Sequence, residues 1–341
     1  MITDAKPHHS EFCEIIHRYS RTAASRAQNS LWYTECSARD ILSPLRISVV
    51  QYLNTAPLVR GFTHGPLRGK YDLSFTLPAN CSDDLRDGAA DVAIIPAIEY
   101  QRIDNLVVLP DLAIAAKKRV RSLLIVARKP IKEVIKIALD RSSRSTQALT
   151  RILCAEHWRI APEFLEDALD PATMLNHCDA ALLIGDPALR LAIVIAAQST
   201  RGADGELQCD AAAAGVGGAD RLHVYDVVEE WRRMTGATAV LAIWAARRGV
   251  VTSEIAADFN ASALFGMQHI GEICEQAAKA ENLPAAELEI YLRENIDYTL
   301  DEQNQRGLRL YFTHAAKLGL IPRVKPLEWA DTGVKIVRAI T

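Results

Sequence analysis

Asn54 and Thr55 stand at the end of an apolar run, Arg46-Ile-Ser-Val-Val-Gln-Tyr-Leu, where a buried strand gives way to a turn. An amide and a hydroxyl at that point can hold a polar or anionic ligand. Pro57 sets up a helix start just beyond, and the free N–H groups of a helix start carry partial positive charge. A second such place is residues 142–146, Ser-Ser-Arg-Ser-Thr, between a strand-like run ending near Leu139 and an amphipathic segment. N-capping uses one hydroxyl. Ser142, Ser143, Ser145, Thr146 and Arg144 together exceed that need and suit an anion, which a guanidinium can grip with two parallel hydrogen bonds. Ser122 opens "SLLIVA", where a single serine taken alone reads as structural. In "DVAIIPAIEY" Glu99 has the makings of a base, yet a first-turn glutamate that complements the helix dipole is the plainer reading. "LLIGDPALR" repeats the strand-turn-helix pattern, and its Gly185 and Asp186 either approach a ligand or only make the turn.

Other chemistries find no foothold. The chain lacks G-x-G-x-x-G after its first strand, G-x-x-x-x-G-K-[ST], H-E-x-x-H and G-x-S-x-G, which argues against nucleotide cofactors, zinc proteolysis and serine hydrolysis. Cys154-x-x-His157 and His177-Cys178 have no second pair at zinc-site spacing, so no metal is expected. The 7 cysteines are scattered, odd in number and without C-x-x-C, the pattern of free thiols in a reducing compartment. A net charge of -3 forces no polyanion surface, and Lys117-Lys118-Arg119 with Arg121 reads as a solvated loop rather than a nucleic-acid patch. No run approaches the about 18 apolar residues of a membrane span. Residues 1–45 read as an N-terminal extension, either a disordered arm or an overcalled start; they carry charges and histidines throughout and lack the apolar centre of about 7–15 residues that a secretory signal needs.

These polar groups need rigid elements to hold them. At 341 residues, 49% hydrophobic and 24% charged, the chain has material for two domains with real cores. From Arg46 onward β-branched runs alternate with helix-period segments. Strands are expected at 46–51, 71–76, 92–95, 122–127, 135–139, 180–184 and 238–245. Such α/β alternation builds largely parallel sheets with ligands at the carboxyl ends of the strands. Chain crossings are expected at Arg128-Lys129-Pro130 and near Gly236, giving a discontinuous first lobe (46–130 with 237–341) and a second lobe (131–236). Residues 196–220, rich in Gly and Ala without a period, read as a mobile insertion. Thr299-x-x-Glu302 has the spacing of a capping box, and Leu308, Tyr311, Phe312 and Ala315 recur as a core stripe. A chain that leaves one lobe, builds another and returns makes a hinged clamp with a ligand cleft between.

In order along the chain, "YLNTAPL", "DVAIIPAIEY", "LVVLPDLAI", "VRSLLIV", "SSRST", "ALLIGDPALR", "EEWRRMTG", "LAIWAAR" and "LDEQNQRGLRLYFTHAAKLGLI" resemble the landmarks of the chorismate dehydratases of the futalosine route to menaquinone. The resemblance runs from about Arg46 to Pro322 and implies the α/β, two-lobed fold of type II periplasmic binding proteins, used inside the cell as a hydro-lyase. It implies chorismate as the small-molecule substrate, 3-[(1-carboxyvinyl)oxy]benzoate as product, and neither cofactor, metal, nucleic acid nor membrane. It makes Asn54 and Ser122 the catalytic positions, moving Ser122 from structural to catalytic, and has the enolpyruvyl carboxylate of the substrate take the ring proton. Thr55, Ser143, Arg144, Ser145 and Thr146 are then expected to bind substrate. Two alternatives share the fold: 1,4-dihydroxy-6-naphthoate synthase, whose family opens on an S-P-C-P-N-D-T-like stretch absent here, and a non-catalytic solute-binding protein.

Overall fold

The computed structural model describes residues 44–167, 171–196, 198–202, 205–212 and 221–331; the expected extension at 1–45 lies almost wholly outside them. In chain order the elements are β1 (Arg46–Val50), α1 (Ala56–Thr63), β2 (Asp72–Thr76), α2 (Pro78–Asp87), β3 (Val92–Pro96), α3 (Glu99–Arg102), β4 (Leu106–Ala116), β5 (Leu123–Ala127), β6 (Lys136–Asp140), α4 (Arg144–Ile152), β7 (Glu163–Asp167), α5 (Pro171–His177), β8 (Ala180–Ile184), α6 (Gly185–Ala196), β9 (Thr200–Arg201), β10 (Leu207–Asp210), β11 (Arg221–Asp226), α7 (Val227–Thr235), β12 (Ala239–Arg247), α8 (Ser253–Gln268), α9 (Ile270–Glu281), α10 (Ala285–Ile290), β13 (Asp297–Thr299) and α11 (Glu302–Lys317). Among the described residues the strands form two sheets, in the orders β13-β4-β12-β3-β1-β2 and β7-β6-β8-β5-β11-β10-β9. Each has a parallel part, β2-β1-β3 and β7-β6-β8, flanked by antiparallel strands.

The first crossing differs from the expected one. Leu123–Ala127 is buried along its whole length and sits inside the second sheet, between β8 and β11, so the chain changes sheets between Ala116 and Leu123. Arg128-Lys129-Pro130 is only the exit from β5, where Lys129 pairs with Asp179 at 2.6 Å. The basic stretch before β5 lies at the crossing: Lys117 pairs with Asp297 at 2.7 Å and Arg121 with Glu287 at 2.6 Å. The return follows Gly236, which ends α7 at φ 71, and leads into β12 of the first sheet.

Two other expectations are corrected, and β4 adds a strand that the sequence reading did not place, running straight through Pro110-Asp111. The proline lies where β4 bulges against β12, with Val108 opposite Ala245 and Ala113 opposite Ile243, so its missing N–H removes no ladder bond that the bulge had not already disrupted. Thr299 makes no capping box: its N–H and hydroxyl go to Asp297 at 3.0 and 2.8 Å, and the carboxylate of Asp301 caps α11 by accepting the Asn304 N–H at 2.8 Å. Part of the 196–220 segment is ordered as β9 and β10, which extend the second sheet antiparallel to β11.

One hydrophobic cluster runs through both lobes, from Ile47, Val49 and Ile95 to Ile125, Leu182 and Trp231. The expected stripe on α11 belongs to it, with Leu308, Tyr311, Phe312 and Ala315 buried. Tyr311 meets the Trp231 ring edge-on at 6.3 Å and donates to the Ser145 carbonyl at 2.9 Å, which joins α11, α7 and α4. The turn carrying Asn54 is braced from behind: α1 lies so near α8 that a Cβ at Gly266 would overlap the Pro57 carbonyl. Gly266→Ala is expected to cost about 1–3 kcal/mol, since the obstacle is backbone, and to lower the urea midpoint without changing the slope of the unfolding curve.

Candidate active site

Val49 and Val50 anchor the end of β1 in the core, after which residues Leu53–Thr55 form a single 3₁₀ turn, closed by the Thr55 N–H on the Tyr52 carbonyl at 3.0 Å. Pro57 follows in the first turn of α1, where its fixed φ favours the helix and its missing N–H is not needed. Thr55 is buried, and its hydroxyl donates to the Asn54 side-chain oxygen at 3.2 Å. That bond fixes the amide, leaving its NH₂ to point away from Thr55.

Ser122 arrives from the other lobe. The loop before β5 is held by Asp226, whose carboxylate accepts the N–H groups of Val120 and Arg121 at 3.0 and 2.7 Å and also caps α7. The Ser122 carbonyl accepts the Gly185 N–H at 2.8 Å, tying the loop to the turn between β8 and α6.

A residue that sequence reading did not single out joins the two. Tyr291, in the wide turn Tyr291–Asn295 that follows α10, is fully buried and donates its hydroxyl to Ser122 Oγ at 2.9 Å. The Asn54 side chain lies near enough to the same tyrosine to work against the upward push of burial on its phenol. Burial pushes the phenol well above its ordinary range, so Tyr291 stays a donor at every working pH. Tyr291 therefore acts on Ser122 as donor, not as acceptor. The hydroxyl hydrogen of Ser122 is then free to donate to whatever lies beyond it.

The 142–146 turn is placed differently from expectation. Ser143 is the N-cap residue of α4, but its hydroxyl pairs with Thr146 Oγ1 at 2.9 Å instead of capping a backbone N–H. The Ser145 hydroxyl accepts the Ile98 N–H at 3.0 Å. Arg144 does not wait for a ligand: its guanidinium grips both oxygens of Asp83 at 3.0 Å and reaches Glu99 at 3.0 Å. Glu99 is itself buried, and receives Arg86 at 2.6 Å and Arg102 at 2.9 Å. With carboxylates on α2 and α3 on its fork, Arg144 ties the two lobes together. Glu99 is a structural counter-ion, as its first-turn position implied.

Further contacts close the seam. Ala79 N–H donates to the Ser142 carbonyl at 2.9 Å, the Tyr52 and Ser142 hydroxyls meet at 3.2 Å, and the Leu53 N–H reaches Asp186. Ser122, Thr55, Ser145 and Thr146 are consequently almost sealed from solvent while Asn54 is half-buried. The arrangement supplies oriented neutral donors at a water-poor boundary, the means of stabilising charge that develops on a bound anion.

Two sheets, a chain that crosses between them and returns, and polar strand ends meeting at the seam define an α/β protein with a periplasmic-binding-protein-like fold. A solved protein from Archaeoglobus fulgidus superposes with a TM-score of 0.62 at 18% identity, covering 81% of this chain and 98% of that one. The periplasmic aliphatic sulphonate binding protein of Escherichia coli does so with a TM-score of 0.53 at 16% identity, covering 87% and 96%. At such identities the likeness is one of fold. More particularly, the chain belongs to the menaquinone biosynthesis family, whose model matches residues 45–317. It is 25% identical over 296 residues to the chorismate dehydratase of Thermus thermophilus, across 84% of this chain and 100% of that protein. Among the described residues no helix is long and apolar enough to cross a membrane.

Proposed function

We propose that the protein is a chorismate dehydratase, removing water from chorismate to give 3-[(1-carboxyvinyl)oxy]benzoate for menaquinone synthesis. The observation that carries this reading is the buried Tyr291 hydroxyl, bonded to Ser122 Oγ and close to the Asn54 side chain, at the seam between the lobes. It agrees with the family match and with the dehydratase relative. The reaction needs little more from a protein. A ring proton and the neighbouring hydroxyl depart, and formation of an aromatic ring drives the step. The enzyme has to hold the substrate in a reactive pose and stabilise shifting charge.

In this reading the enolpyruvyl carboxylate of the substrate takes the ring proton, while the Ser122 hydroxyl and the Asn54 amide orient that carboxylate and the departing hydroxyl. Ser143 and Thr146, whose hydroxyls pair with each other at the start of α4, receive a second carboxylate at the helix N-terminus; Thr55 acts by fixing Asn54, and Ser145 by holding Ile98. The scattered, buried free thiols suit a cytoplasmic enzyme. Purified protein incubated with chorismate is expected to form a product lighter by one water, detected by mass spectrometry. Unchanged chorismate would refute the proposal.

A further inference from the structure

The turn from β8 into α6 touches both halves of the site. The Gly185 N–H holds the Ser122 carbonyl at 2.8 Å. One residue later both carboxyl oxygens of Asp186 face the N–H of Leu53, at 3.1 and 3.2 Å, and Leu53 immediately precedes Asn54. Gly185 has φ +66, and a Cβ there would press to 2.6 Å from the Tyr52 ring, so only glycine lets this turn come so near residues 52–54. A single dipeptide of the second lobe thus binds the Ser122 loop on one side and the Asn54 turn of the first lobe on the other.

We propose that Asp186 is a positioning residue: its carboxyl draws the Leu53–Thr55 turn against the second lobe on closure and thereby sets Asn54 in its place beside Ser122. The dehydratase reading supplies one of its readouts; the other is independent of it.

The carboxyl enters this contact protonated over much of the accessible range. Burial pushes it up to about 7, against the opposing pull of the Leu53 N–H. The groups that act on it from the packed elements are Glu281 at the end of α9, which raises it, Arg190 on α6, which lowers it, and the hydroxyls of Tyr52 and Tyr291. Arg190 and Glu281 pair with each other, so neither dominates. Because the closed-state value is raised, closure is most favoured below the ordinary carboxylate range, weakens as pH rises, and reaches its floor above about 7. A protonated carboxyl still accepts the Leu53 N–H through its carbonyl oxygen, so the latch works best uncharged.

Asp186→Asn retains the acceptor and removes the titration; Asp186→Ala removes both. For the wild type, kcat/KM with chorismate is expected to fall between about pH 5 and pH 7, by up to about tenfold per unit, and to level off above. Asp186→Asn flattens that slope. Asp186→Ala lowers kcat itself by about tenfold or more, because a saturated but misplaced Asn54 is slow. A wild-type slope in Asp186→Asn, or a wild-type kcat in Asp186→Ala, overturns the proposal. Should chorismate not be turned over, the dehydratase reading falls and the latch is judged on melting temperature. The wild type is then expected to lose stability relative to Asp186→Asn as pH rises from about 5 to 7; a constant difference between the two overturns it.

Discussion

Asn54→Ala is expected to reduce kcat for chorismate by about 10²–10³, the usual cost of removing one oriented donor from a site that stabilises developing charge, with a much smaller change in KM. The split follows from where the amide stands. Its oxygen is held by the Thr55 hydroxyl, so the amide is oriented before substrate arrives and needs little reorganisation in the transition state. Alanine should leave the fold intact: Asn54 is half-buried, and the surrounding turn is closed by backbone bonds, Thr55 to Tyr52, with Pro57 beyond. Steady-state kinetics together with a melting curve separate the outcomes. Full turnover would remove Asn54 from the chemistry, and loss of activity accompanied by unfolding would make it structural.

How far sequence reaches into this fold depends on the range over which each signal acts. β1, β3, β8 and β12 were legible because β-branched runs bounded by Gly, Pro or polar clusters carry their own evidence, and Ala180–Ile184 matches the expected range. β4 was not, because a proline inside an apolar run means a break in most contexts and only the facing strand reveals the bulge that accommodates it. The crossing into the second sheet was misplaced for a similar reason. "LLIVA" is a fine strand in either sheet, and its neighbours β8 and β11 are named nowhere near it in the chain.

The site divides along the same line. Asn54 and Ser122 are polar residues out of keeping with the strands beside them, and that incongruity is local. Arg144 was visible as a charge, but its partners Asp83 and Glu99 lie 61 and 45 residues away; without them a guanidinium among hydroxyls reads as an anion grip. What the 142–146 turn does with its four hydroxyls and one charge is hold the closed lobes at least as much as it prepares a helix start for a carboxylate. The Arg144 fork, the Leu53–Asp186 contact and the Ala79–Ser142 bond all cross the seam, so parting the lobes would have to break all three.

Tyr291→Phe gives the second large effect, a fall in kcat/KM of about 10–100-fold, the equivalent of leaving one or two buried polar groups without their partner. In "LEIYLRENIDY" the tyrosine sits at helical spacing among apolar residues and reads as core, and its partner Ser122 is 169 residues distant. Phenylalanine keeps the ring and so preserves the packing, while removing the hydroxyl that meets Ser122 and lies near Asn54. Ser122 Oγ then loses the donor that leaves its own hydrogen free for substrate. If Tyr291 acts through these two residues, its effect cannot add to theirs: Tyr291→Phe in a Ser122→Ala background should cost far less than in the wild type. A double-mutant cycle measures this directly. Additive losses would mean that Tyr291 contributes to folding or to substrate contact on its own account, and that Asn54 and Ser122 are aligned by the closing of the lobes alone.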